Sequence, residues 1–172
     1  MLELLDERSL KDWAVHSGWV SYADGRLIAS SPAVQCYRTI NYETALCGAD
    51  LAESFLNDFL PTRVTSGVFS VYRIFPYDSA TVGVFQHLLY LYGKGIVEGK
   101  HFRFHIADDY GGLLCAMSWC LACGWNFDFV ADGYRYGVSG DDDEFVDVFW
   151  EAGEIMKPDA LKILEAWESQ KI

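Results

Sequence analysis

Residues 127–138 read F-D-F-V-A-D-G-Y-R-Y-G-V. Phe127, Phe129 and Ala131 recur at every second position, Asp132-Gly133 interrupts, and a second run follows. Successive side chains of a strand point to opposite faces. Phe127, Phe129 and Ala131 therefore share one face, and Asp128, Val130 and Asp132 the other. Asp-Gly suits a two-residue turn whose central residues both need positive φ, so the stretch predicts an antiparallel hairpin. Glu144–Trp150, E-F-V-D-V-F-W, supplies a third strand and completes a C-terminal meander. Residues 19–30, W-V-S-Y-A-D-G-R-L-I-A-S, predict a second hairpin around Asp24-Gly25.

The rest of the chain divides between the two periodicities. Residues 68–75 and 100–107 read as strands. Leu51, Phe55, Leu56 and Phe59 recur at helical spacing, with Asp50 and Glu53 as a capping box and Pro61 as the stop. Residues 79–92, 113–123 and 158–168 read as further helices, the second ending at Gly124 and the third beginning at Pro158. The pattern implies an α+β fold in a single domain over residues 1–172: a largely antiparallel sheet, two Asp-Gly hairpins, and about four helices packed mainly on one face.

One internal echo stands out. Trp13-A-V-H-S-Gly18-Trp19 precedes the first A-D-G turn, and Trp119-C-L-A-C-Gly124-Trp125 precedes the second. Each implies a helix ended by a left-handed glycine and followed by a hairpin.

The second copy contains the densest run of sulfur. Cys115, Cys120 and Cys123 have the C-x4-C-x2-C spacing of a plant-type iron–sulfur loop. Such a loop is glycine-rich and needs a fourth, distant cysteine, whereas C-A-M-S-W-C-L-A-C is apolar and Cys36 and Cys47 lie upstream. W-C-L-A-C also has the form of a thioredoxin-like W-C-x-x-C. There the motif opens a helix, whose N-terminus lowers the thiol pKa; here it closes one. The expectation is buried sulfur acting as a small hydrophobe, with no cofactor.

His101 and His105, in H-F-R-F-H, alternate with Phe102 and Phe104. On a strand they stand roughly 13 Å apart, too far to grip one metal ion, so a solvated or edge face is expected. His16 and His87 are isolated. The run Asp141, Asp142, Asp143, Glu144, with Asp147 beyond it, lacks the alternating ligands and central glycine of a calcium loop. No metal site is expected. No phosphate loop or nucleophile elbow is present.

Charge narrows the partners. The chain has 172 residues and a net charge of −12, with the larger excess in its second half. Such a field repels nucleic acid and anionic membranes and attracts basic surfaces. The N-terminal residues 1–8, M-L-E-L-L-D-E-R, carry acids where a signal peptide needs bases. The charge-free span Tyr110–Phe127 is punctuated by glycines and flanked by aspartates, which argues against a membrane helix. Five cysteines without secretory context imply reduced thiols in a cytoplasm.

The expectation is a cytoplasmic binding protein that engages a basic protein surface. Asp128, Asp132, Asp141, Asp142, Asp143, Glu144 and Asp147 form its acidic contact. Immunity or antitoxin proteins that inhibit nuclease-like toxins, and nucleic-acid mimics, have this profile. The alternatives are a small enzyme with an unmarked aromatic-lined pocket and a structural subunit that oligomerises through exposed aromatics.

Overall fold

Among the described residues, the three strands of the C-terminal meander lie side by side in a seven-stranded sheet. A computed structural model describes residues 3–29, 36–41, 48–60, 63–73, 100–122, 124–141, 145–151 and Lys162. Their elements, in order, are β1 (Glu3–Leu5), α1 (Glu7–Ser17), β2 (Val20–Ala23), β3 (Arg26–Ala29), β4 (Cys36–Asn41), α2 (Gly48–Ser54, continued by a wider π-helical turn over Phe55–Phe59), β5 (Ser66–Arg73), β6 (Lys100–His105), α3 (Ile106–Ala122), β7 (Asn126–Ala131), β8 (Tyr136–Asp141) and β9 (Phe145–Trp150). The large sheet runs β1-β6-β5-β7-β8-β9-β4, with every neighbouring pair antiparallel. Among the described residues β2 and β3 pair only with each other.

Alternation along the strands loads both faces. Phe69, Phe102, Phe104, Phe127, Phe129 and Val138 point to one side, where α2 and α3 pack on them. Burying each such side chain contributes about 1.5–3 kcal/mol. Val68, Val130 and Phe149 point to the other side and meet Leu10 and Ala14 of α1 and Trp19, Val20 and Leu27 around the β2–β3 hairpin. The expectation of helices mainly on one face is therefore corrected for α1. The face carrying Asp128 and Val130 looked like a solvent face because it mixes polar with apolar residues, yet a helix and a hairpin cover it.

Both glycine corners of the echo form. Asp6 caps α1 by accepting the Ser9 amide at 2.7 Å, and Gly18 ends the helix at φ 72°. At the end of α3, the Trp125 amide donates to the Cys120 carbonyl at 2.8 Å and the Gly124 amide to the Leu121 carbonyl at 3.4 Å. Gly124 has φ 62°. This nested pair of bonds is a Schellman cap, which needs a left-handed residue and so a glycine.

The two Asp-Gly sites differ. In the first, Ala23 pairs with Arg26, and Asp24 and Gly25 have φ 52° and 83°. In the second, the last pair before the turn is Val130 with Gly137, and residues 132–135 form an open loop. Only Gly133 has positive φ there, at 71°. The expected two-residue turn at Asp132-Gly133 is corrected to a longer loop, because the Asp132 side chain is held by other elements.

The capping box is corrected as well: α2 begins at Gly48, which puts Asp50 inside the helix. Leu60 is extended (ψ 125°), as a residue before proline should be. β6 gives way to α3 at Ile106, before the expected end of the strand at 107. The helices expected over 79–92 and 158–168 fall outside the described residues, apart from helical Lys162; three helices are described.

Candidate functional site

Register brings polar residues into one row. His101 lies opposite Ser70, Ser70 opposite Asp128, Asp128 opposite Ser139, Ser139 opposite Asp147, and Asp147 opposite Thr39. The row crosses six adjacent strands on the face under α1 and the hairpin. Its middle is bonded internally. Ser139 Oγ donates to Asp128 Oδ1 at 2.6 Å, and the Leu27 amide of the hairpin donates to Asp128 Oδ2 at 2.9 Å. Asp128 is 1% exposed. It cannot belong to an acidic surface, and that expectation is corrected. Its carboxylate instead fastens the hairpin to the sheet.

His101 Nδ1 lies 2.8 Å from Ser70 Oγ. The spacing is that of a nucleophile and its base, but Ser70 is 0% and His101 3% exposed. Both side chains are enclosed, and the contact ties β6 to β5. Burial lowers the His101 pKa, and the nearby Glu7 charge partly opposes that. The expected solvated or edge placement is corrected, since β6 is flanked by β1 and β5 and Tyr22 packs edge-on over the ring at 5.5 Å. His105 is exposed.

Asp132 sits at a junction of four segments. Its Oδ1 accepts from Trp13 Nε1 of α1 at 2.5 Å, and its Oδ2 accepts from Ser66 Oγ of β5 at 2.7 Å and from Arg103 Nη2 of β6 at 3.4 Å. Its amide donates to the Ser66 carbonyl at 2.8 Å. The first tryptophan of one echo thus holds the aspartate of the other. With both oxygens engaged, Asp132 is a bracket more than a docking charge.

Beside this bracket opens a cleft of about 510 Å³. Trp13, Trp19 and Tyr134 give it aromatic walls, and Arg103, Arg135 and Glu151 line its polar part. His16 and Ser17, at the end of α1, complete its rim. Arg135 Nη1 donates to Glu151 Oε1 at 2.9 Å, while the Glu151 amide donates to the Arg135 carbonyl at 2.9 Å. The Ser17 hydroxyl is spent on the helix end: it donates to the Ala14 carbonyl at 2.7 Å and accepts the Val20 amide at 3.3 Å.

The other acidic residues scatter. Asp141 closes β8 opposite Phe145. Asp147 is half-buried on β9. Asp142, Asp143 and Glu144 lie outside the described residues, between those paired strand ends. Of the cysteines, Cys120 is buried, as expected for packed sulfur. Cys115 is half-buried, and burial raises its pKa. Cys123 lies outside the described residues. Among the described residues no group of three or more His, Cys, Asp and Glu side chains is placed to hold a metal ion, and no helix is long and apolar enough to cross a membrane.

Sequence reasoning missed Arg103, Arg135 and Glu151 because they share no motif or spacing. The echo did mark Trp13, Trp19 and Asp132-Gly133, though only as packing and turn residues. Comparison with protein families, curated proteins and solved structures finds no match to the chain.

Proposed function

We propose that this chain is an acidic, cytoplasmic binding protein that engages a basic protein surface, as an immunity-type inhibitor of a nuclease-like toxin or a nucleic-acid mimic does. The observation that carries this reading is the net charge of −12. A nuclease presents a basic groove to phosphate, and an acidic surface is its electrostatic complement. The contact is assigned to Asp141, Asp142, Asp143, Glu144 and Asp147. Asp128 and Asp132 are left out because internal hydrogen bonds consume their oxygens.

The alternatives draw less support. A catalytic reading needs a nucleophile beside a base, and the nucleophile on the cleft, the Ser17 hydroxyl, is bonded twice within the end of α1, while the carboxylate of Asp132 has both oxygens bonded. An oligomeric reading needs a contiguous apolar patch. The exposed large hydrophobics among the described residues are Leu4, Val15 and Ile28, one each from β1, α1 and β3. Such single side chains are ordinary surface.

The test is association kinetics with a panel of basic nuclease domains at low and high salt. A matched variant carries Asp141→Asn, Asp142→Asn, Asp143→Asn and Glu144→Gln. The expected result is inhibition of at least one nuclease, with association slowed by salt and by the variant. Binding that is indifferent to both would remove the electrostatic reading.

A further inference from the structure

We infer that the cleft beside Asp132 is a binding site for a small planar molecule carrying a carboxylate. Around the cleft, donors left over outnumber acceptors left over. Two guanidinium groups line the cleft, and each has five N–H donors. Among the described residues Arg103 spends one donor, in a long 3.4 Å bond to Asp132, and Arg135 spends one on Glu151. Their side chains are 38% and 40% exposed, so the remaining donors reach solvent.

The acceptors are in the opposite position. Both Asp132 oxygens are occupied, and Glu151 already accepts from Arg135. Glu151 Oε2 is the carboxylate acceptor with no bond to another described residue, against several such guanidinium donors, so a ligand that brings acceptors finds more partners than one that brings donors. A carboxylate matches the planar fork of arginine. The rings of Trp13 and Tyr134 on the same cleft suit a flat body. The volume, about 510 Å³, is in the range of small-molecule sites.

Two features of the site make the inference specific. Glu151 is an internal carboxylate already seated on Arg135, so it marks the binding geometry and competes for it. Moreover, the backbone bond from the Glu151 amide to the Arg135 carbonyl does not depend on either side chain. Substitutions there can therefore change the site while the β8–β9 pairing stays in place. The site does not depend on a protein partner.

The experiment uses amide and indole N–H resonances of the full chain, titrated with indole-3-acetate, its neutral amide indole-3-acetamide, and phenyl phosphate. The expected result is a saturable shift of the Gly133 and Tyr134 amides and the Trp13 indole N–H with indole-3-acetate, and none with the amide. Arg135→Gln should weaken binding about tenfold, the worth of one charge-assisted hydrogen bond. Glu151→Gln should tighten it by removing the internal competitor. Absence of a saturable shift at these resonances overturns the site. Equal binding of the neutral amide, or unchanged affinity in a folded Arg135→Gln variant, overturns the role of the guanidinium. Tighter binding of phenyl phosphate overturns the choice of carboxylate. The first comparison needs only the native chain, so it decides the matter even if a variant fails to fold.

Discussion

His101 links the fold to pH. It is buried against Ser70, and burial holds its pKa below the ordinary value of 6.5. The unfolded chain then takes a proton that the native state refuses. The contribution is fully present above about pH 6.5 and declines as pH falls through that value toward the lower native pKa. Asp6 acts in a separate window. Its bond to the Ser9 amide depresses its pKa below 3.8, so its contribution is lost only as pH falls beneath that. Urea unfolding at about pH 7.5 and about pH 5.5 should therefore show lower stability at the acid end. His101→Gln should flatten the difference. An unchanged slope in the variant would assign the pH dependence to another group.

Glycine at position 137 is required by packing alone. A Cβ there would lie 2.3 Å from the Phe149 ring and 2.8 Å from the Phe129 carbonyl oxygen. Gly137→Ala should cost about 1–3 kcal/mol in chemical denaturation, as an overpacked core does. Gly111, in α3, is the control. A Cβ there meets nothing within 4 Å, so Gly111→Ala should stabilise by about 0.5–1 kcal/mol through helix propensity. Neither effect is legible in the sequence, where both positions are simply glycine.

At the level of elements, the β2–β3 hairpin depends on its dock. Two strands alone are marginal in water. This pair is fixed by Trp19, Val20 and Leu27 against Val68, Val130 and Phe149, and by the Leu27 amide bonded to Asp128. Asp128→Ala would leave that amide without its carboxylate and cost about 1–3 kcal/mol. Amide hydrogen exchange should accelerate at Leu27, with β6 and β7 still protected. Uniform acceleration across the sheet would mean that the hairpin and sheet unfold as one unit. The hairpin itself was readable, since Asp24-Gly25 between alternating runs is a local signal. Its placement was not, because nothing within residues 19–30 names Asp128 as the anchor, about a hundred positions away.

The second Asp-Gly site shows the converse. Its local signal matched the first, but Trp13, Ser66 and Arg103 converge on Asp132, and the turn opens into a four-residue loop. Tertiary bonds overrode turn preference there. The cleft lies where they did so.

For the whole molecule, the net charge of −12 acts against compaction. Like charges repel across a folded surface, and salt screens them with a Debye length of about 10 Å at 0.1 M. The midpoint of thermal unfolding at neutral pH should rise with sodium chloride over the range where screening changes. A midpoint that falls would mean that favourable surface pairs such as Glu7–Lys11 and Arg135–Glu151 outweigh the repulsion. The same charge underlies the proposed binding of a basic partner, so salt should oppose the complex while it favours the fold.

Local features were legible from the chain. Period-2 and helical spacing marked the meander and the α2 and α3 segments, and the place of W-C-L-A-C at the end of an apolar helix marked Cys120 as buried. The two W-x4-G-W corners were legible too, because a helix end at a left-handed glycine is decided within six residues. Which polar residues are surface and which are anchors was settled only in three dimensions. Asp128 and Asp132 carry the same charge and the same alternation as any solvent-facing aspartate. Their roles follow from strand register and from α1 and the hairpin closing over the sheet, and both bring together groups from distant parts of the chain.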